Sequence, residues 1–251
     1  MTLPSPAWWR TLLVTLPAVV VLTVAAGVAA LATTLFDRSG RAAHRLAQWW
    51  GRGVLAAAAV RVRVRGLDAL VPGATYVFVA NHQSLYDIPV LFGSIPYQIR
   101  IIAKQSLGPI PFVGWHLRRA GHILVDRAHP DREGILRRWR GLVGEGLSLI
   151  IFPEGTRSAD GTVRRFKSGS FTLALQAGLP VVPLSIAGTR DVMRKGEFTV
   201  RPGVVSLVVH PPIETRGRAA EPGIEDVRAF AAEVRAIVAG GVEALGRAGA
   251  A

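Results

Sequence analysis

Twenty-six consecutive residues without a charged side chain, Thr11 to Phe36, constrain this chain more than any other feature. At about 1.5 Å per residue a helix of that length reaches roughly 39 Å, more than the ~30 Å of hydrocarbon in a bilayer. A membrane helix is therefore expected. Trp8 and Trp9 stand at its start, where indole rings favour the interface, and Pro17 can kink it, which a bilayer tolerates. A secretory signal peptide has an apolar stretch of only about 7–15 residues before its cleavage site. This run is too long for one.

Arg38, Arg41, Arg45 and Arg52 follow the run, against Arg10 before it. Positive flanks stay inside, so the bulk of the chain is expected on the cytoplasmic face. A second segment, Ala42 to Val60, sets Leu46, Trp49, Trp50, Val54 and Leu55 beside His44, Arg45 and Arg52. That is the pattern of an amphipathic helix lying in the interface. The two segments could equally form a hairpin that dips into one leaflet, and sequence leaves a span and a dip both open.

Lysine and arginine number 30 against 17 acidic residues, a net charge of +13. Such a surface implies an anionic partner, nucleic acid or membrane headgroups. A nucleic-acid binder has no use for the apolar N-terminus, so membrane phospholipids are expected and nucleic acid is not. Lysine occurs only at Lys104, Lys167 and Lys195. That arginine bias fits a GC-rich coding genome and hence a bacterial source. The absence of cysteine excludes disulfides, thiolate metal sites and a cysteine nucleophile. There is no HExxH pair, and His44, His116, His122, His129 and His210 read as structural or exposed, so no metal is expected.

Beyond residue 60 short apolar runs alternate with helical stretches. Val60–Arg65 alternates strictly, as a half-buried strand does, its arginines on a solvated or headgroup-facing side. Further strands are expected at Tyr76–Ala80, Ile99–Ala103, His122–Val125, Ser148–Phe152, Val181–Ile186 and Val204–Val209. Several are apolar throughout, as buried parallel strands are. One helix stripe carries Ile135, Leu136, Trp139, Leu142 and Val143, with Arg132, Arg137, Arg138 and Arg140 elsewhere. A final one carries Ile224, Val227, Phe230, Val234, Ile237 and Val238. The fold class expected is α/β: one domain over residues 60–251, with a mostly parallel sheet flanked by helices. Residues 1–59 form the N-terminal membrane helix and the interfacial helix. The tail after about Leu245 is expected to be disordered.

Four blocks carry chemistry, three of them strand ends. Asn81-His82-Gln83-Ser84-Leu85-Tyr86-Asp87 follows an apolar strand, and a carboxylate five residues after a histidine can orient it as a base. Phe152-Pro153-Glu154-Gly155-Thr156-Arg157-Ser158 follows another, with a glycine for close approach and an arginine whose planar fork suits phosphate. Gly121–Arg127 is a third strand, ending in arginine, and Val181–Ile186 a fourth, carrying Pro183. Each alone has an ordinary reading: a structural histidine, a turn with a surface ion pair, a buried strand. Together they put a base and two phosphate-seeking arginines beyond the carboxyl ends of strands, where open α/β sheets gather ligands. Ser84 lacks the Gly-x-Ser-x-Gly elbow of serine hydrolases, so an acyl-serine is not expected.

In order and spacing these blocks resemble those of the glycerolipid acyltransferase family, which includes 1-acylglycerol-3-phosphate acyltransferases. NHQSLYD matches its Asn-His-x4-Asp block, GHILVDR its Gly-x-Ile-x3-Arg block, FPEGTRS its Phe-Pro-Glu-Gly-Thr-Arg block and VVPLSI its proline-bearing strand. The likeness covers roughly Thr75 to Ile186. It implies lysophosphatidic acid as acceptor, acylated on its sn-2 hydroxyl to phosphatidic acid, and an acyl thioester as donor, with no cofactor beyond acyl-CoA or acyl carrier protein as co-substrate. It further implies that His82 is the general base, polarised by Asp87. Arg127 and Arg157, with Lys104, would hold the acceptor phosphate. Glu154 would orient Arg157 or bind the glycerol part, Gly155 and Thr156 would line the same site, and Asn81 and Pro183 would support it. An oxyanion stabiliser is not visible, although a backbone N–H near Asn81 or Gly155 could serve. The implied place is the inner (plasma) membrane. Other acceptors (glycerol 3-phosphate, another lysophospholipid, an amino-acid lysolipid) remain open, as does a non-catalytic anionic-lipid binder, which leaves Asn81–Asp87 unexplained. The arginine-rich helix could dock an acidic carrier protein, or simply face solvent or headgroups.

Overall fold

The computed structural model describes residues 5–33, 35–37, 39–126, 129, 131–218 and 222–249. The N-terminal run folds as α1 (Pro6–Arg10), a π-helical turn (Thr11–Thr15) and α2 (Leu16–Thr33), one continuous helix of 28 residues. In the π turn the Leu16 N–H bonds to Thr11 O. Pro17 supplies no N–H of its own, and widening the preceding turn is one way a helix absorbs such a gap. The helix is long and apolar enough to cross a membrane, with a mean hydropathy of 2.5 over a window only 11 % buried.

The remaining elements are α3 (Arg41–Ala57), β1 (Val60–Arg65), β2 (Val77–Ala80), α4 (Asp87–Ser94), β3 (Ile99–Lys104), α5 (Val113–Arg119), β4 (Ile123–Val125), α6 (Arg132–Gly144), β5 (Ser148–Ile151), α7 (Gly169–Ala177), β6 (Val181–Ala187), α8 (Thr189–Val192), β7 (Gly203–Val209) and α9 (Ile224–Gly249). All seven expected strands are present within a residue or two. The final helix continues to Gly249, past the point where disorder was expected. Leu245, Arg247 and Ala248 are good helix formers, and a single Gly246 costs only about 1 kcal/mol, too little to end it.

The strands form one sheet in the order β1-β7-β6-β2-β5-β3-β4. Among the pairs of these seven strands, β6–β7 is antiparallel and the rest are parallel. Alternation along the strands divides the core. Phe78 and Ala80 of β2 face a cluster with Val54 and Leu55 of α3 and Val90, Leu91 and Phe92 of α4. Val77 and Val79 face Trp139 of α6, Phe171 of α7 and Phe230 and Val234 of α9. Because β2, β5, β3 and β4 are mutually parallel, the residues following all four emerge along one edge.

The amphipathic segment is a helix as expected, and the Val54 and Leu55 part of its apolar face packs inside the protein, against α4 and the sheet. Gly51 permits the approach, since a Cβ there would stand 2.8 Å from Pro89 O. α2 runs antiparallel along the other side of α3. Arg10 donates to Ala57 O (3.0 Å) and Ala58 O (3.2 Å) near one end, and Trp50 Nε1 donates to Thr23 Oγ1 (3.1 Å) midway. Leu13, Val14, Val20, Val21 and Val28 of the helix stay exposed, as does Trp49 of α3. On β1 the arginines take the exposed positions, consistent with a solvated or headgroup-facing side.

Beneath α3 and α5 lies a polar cluster that periodicity did not reveal: His44, His116, His122 and the fully buried Arg100. Arg100 donates to the Ile99 and Ser39 carbonyls. Burial first, and the Arg100 charge second, lower His44 to about 3 and His116 to about 4. Burial also drives His122 well down. The unfolded chain takes up a proton on each below about 6.5, whereas the fold refuses it. Their contribution to stability is thus complete above pH 6.5 and drains away as pH falls toward 4. At pH 5 His44 and His116 should each cost about 2 kcal/mol. Thermal unfolding in detergent should show a markedly lower midpoint at pH 5 than at pH 7; equal midpoints would contradict this account.

Candidate active site

β2 ends at Ala80, and the next two residues are fixed by different means. Asn81 continues the ladder with its side chain: Nδ2 donates to Ile186 O (2.9 Å) and Oδ1 accepts Ile186 N–H (2.8 Å). This amide acts as one further rung between β2 and β6, one residue before His82.

The His82 imidazole meets Asp87 through Nδ1–Oδ2 at 2.7 Å. Asp87 is wholly buried at the first position of α4. The same Oδ2 accepts the backbone N–H groups of Gln83 (2.8 Å) and Ser84 (3.0 Å). An oxygen that gathers three donors calls for an Nδ1–H tautomer, leaving Nε2 with its lone pair. Nε2 has no partner among the described residues, and the side chain is 16 % exposed. The opposite face of the ring stacks on Phe152, centroids 4.2 Å apart.

The loop after β5 clamps the His82 backbone from both sides. Glu154 Oε1 accepts the His82 N–H (2.8 Å), and the Ser158 N–H donates to His82 O (2.8 Å). Glu154 Oε2 accepts the Arg164 N–H (3.2 Å). Both oxygens of this buried carboxylate are thus spent on backbone. The expectation that Glu154 orients Arg157 or binds glycerol differs from this arrangement: the carboxylate is 6 % exposed and holds backbone, and no bond from Arg157 to it is found among the described residues. Burial raises its pKa above the ordinary carboxylate value, opposed by the bonds from His82 and Arg164.

Gly155 takes a left-handed conformation (φ +74°), which favours glycine, and its N–H closes a turn on Phe152 O (3.0 Å). That N–H is not free to stabilise an oxyanion. Thr156 is exposed and Arg157 half-exposed, and no partner for the Arg157 guanidinium is found among the described residues. Lys104, exposed, ends β3 on the same edge of the sheet. Arg127 lies outside the described residues, although β4 brings Val125 and Asp126 to that edge. Pro183 sits mid-β6 opposite Val79, its carbonyl accepting the His210 N–H (3.0 Å). It is part of the sheet. Among the described residues no group of three or more His, Cys, Asp or Glu side chains could hold a metal.

Sequence reading had no role for Phe152 as the stacking partner of His82. Nor did it show that Gln83, Ser84, Ser158 and Arg164 act through backbone N–H groups, for which residue type gives no signal. Lys167, whose ammonium lies against Gly155, was legible only as one of three lysines in an arginine-rich chain.

Residues 61–187 match the acyltransferase family model. A 1-acyl-sn-glycerol-3-phosphate acyltransferase from Chlamydomonas reinhardtii is 39 % identical over 176 residues, 66 % of this chain and 52 % of that protein. The human alpha form is 34 % identical over 178 residues, 70 % of this chain and 62 % of its own length. The chain spans about half the length of the algal and plant relatives it matches. The crystal structure of the 1-acyl-sn-glycerophosphate (LPA) acyltransferase PlsC from Thermotoga maritima superposes with a TM-score of 0.79 at 32 % identity, covering 95 % of this chain and 97 % of that one. The dyad after β2, the clamping loop after β5 and these matches agree: the chain belongs to the acyltransferase family.

Proposed function

We propose that this chain transfers a fatty acyl group from an acyl thioester to the sn-2 hydroxyl of lysophosphatidic acid, forming phosphatidic acid. The observation that carries the reading is the His82 imidazole, held through Nδ1 on Asp87 at 2.7 Å with Nε2 unpartnered. Nε2 takes the proton from the acceptor hydroxyl as the oxygen attacks the thioester carbonyl. The C–S bond then breaks, and the departing sulfur leaves as thiol with the proton His82 returns. A thioester is already activated, so the site needs only a base, orientation and charge complementarity. The names of the algal, human and Thermotoga relatives support this acceptor. Arg157, Arg127 and Lys104 would bind its phosphate. Acyl-CoA and acyl carrier protein are both open as donors.

The acceptor's acyl chain stays in the bilayer, so the site must work at headgroup depth. α2 packs along α3 for most of its length, and α3 carries Arg45 and Arg52. A hairpin packed this way favours insertion into one leaflet over a span, because spanning would draw those arginines into hydrocarbon at several kcal/mol. The reading places the domain on the cytoplasmic face.

Purified protein given lysophosphatidic acid and a labelled acyl thioester, in CoA and carrier-protein forms, should make phosphatidic acid. His82→Ala should lower kcat/KM about 10²- to 10⁴-fold, and Asp87→Asn by at least about 10²-fold. Undiminished transfer by His82→Ala would sink the mechanism; transfer only to another acceptor would overturn the substrate.

Glu154→Gln keeps the shape of the side chain but can accept only one of the two backbone N–H groups, leaving the other facing an amide donor. The expected result is a drop in kcat of about 10- to 100-fold, with KM for lysophosphatidic acid held within about threefold. A raised KM at unchanged kcat would instead make Glu154 a substrate ligand.

A further inference from the structure

Three of the 30 basic residues in this chain are lysine, and two of those three meet on the loop that carries Arg157. The Lys167 N–H donates to Pro153 O (2.9 Å), and its side chain runs back over Gly155. A Cβ on Gly155 would stand 2.9 Å from Lys167 Nζ and 3.0 Å from its Cε, so the ammonium rests against the bare face of the glycine. Lys195 arrives from another segment. Its Nζ donates to Arg157 O (3.0 Å) and Thr156 Oγ1 (3.5 Å). That segment is tied to the histidine block through Ser84 Oγ, which donates to Met193 O (2.7 Å).

The acids nearest in sequence do not neutralise this group. Glu154 is spent on the N–H groups of His82 and Arg164. Asp160 is held by Ser158 and Thr162, whose donors pull its carboxyl well below the usual range. No ion pair to Lys167, Lys195 or Arg157 is found among the described residues. The Lys167 and Lys195 ammonium groups are therefore carried on Gly155, Thr156 and the Arg157 backbone, with no carboxylate ion-paired to either among the described residues. An ammonium is a compact point charge with three donors, so one held on backbone keeps a donor for a ligand.

We propose that Lys167 and Lys195 join Arg157 in one binding site for the phosphate monoester of the acceptor. Arg157 supplies a planar fork and the lysines two movable charges, which suits a dianion. Phosphates of coenzyme A and of bilayer phospholipids share the chemistry; the position beside His82 favours the acceptor. The assignment rests on the acyl-transfer reading above, and the test separates the two.

The 251-residue chain carrying lysine labelled with carbon-13 at Cε should give three side-chain signals, assigned through Lys167→Gln and Lys195→Gln. Short-chain lysophosphatidic acid and inorganic phosphate should each shift the Lys167 and Lys195 signals, while coenzyme A and phosphatidylcholine–phosphatidylglycerol vesicles should not. Each glutamine variant should raise KM for lysophosphatidic acid about 10- to 100-fold with kcat within about threefold. Wild-type transfer to lysophosphatidic acid with both signals unmoved would overturn the lysine assignment. So would signals that answer only to coenzyme A, or as strongly to vesicles. No wild-type transfer to lysophosphatidic acid would count against the acyl-transfer reading, while the inorganic phosphate titration would still judge the lysines.

Discussion

Burial of the Glu154 carboxylate against the backbone of His82 is the interaction on which the rest of the site depends. An acid taken out of water costs several kcal/mol unless its lone pairs are satisfied. Here the fold offers two backbone N–H groups, from His82 and Arg164, 82 residues apart in sequence. The raised pKa of Glu154 is the residue of that cost. The carboxylate acts as a rivet between two loops, and it holds His82 by its main chain. Phe152 and Asp87 then fix the ring itself, one by its face and the other by Nδ1.

That rivet requires adjacent parallel strands. β2 pairs with β5 through Val77–Leu149 to Val79–Ile151, so the two chains leave the sheet side by side. Phe152 and Glu154 can then reach His82 directly. An antiparallel neighbour would carry the same residues to the opposite edge. The Asn81 amide works from the other flank, on β6. His82 thus stands at the meeting point of three strands, which is why its backbone tolerates so little freedom.

Much of this was legible in the residues. Seven strands could be read from β-branched runs, and the mostly parallel sheet from their lack of alternation. The NHQSLYD and FPEGTRS blocks marked two strand ends that share an edge. What escaped had physical reasons. For Glu154, three residues before Arg157, the resemblance implies an orienting or glycerol-binding role, yet sequence reports spacing along the chain and not the direction in which a carboxylate points. The buried cluster of Arg100 with His44, His116 and His122 left no periodic trace, since single polar residues inside apolar runs look like noise. The apolar stripe of α3 suggests an interfacial face, yet a stripe records only that something apolar covers it: Val54 and Leu55 lie in the core beside α4, while Trp49 stays exposed.

The last of these has a consequence for how chemistry and membrane are joined. α3 lies against α4 at Gly51, where only a glycine lets the Pro89 carbonyl approach. Pro89 is two residues from Asp87, the group that sets the tautomer of His82. On its other side α3 holds the long apolar helix through Ala57, Ala58 and Trp50. The apolar helix, α3, α4 and Asp87 therefore form one packed stack. Close-packed interiors transmit displacement and do not absorb it. On the proposed reading, the depth at which the exposed apolar face settles in a bilayer would set the height of His82 above that face. For the lysolipid acceptor proposed here, that height would decide whether its hydroxyl meets Nε2.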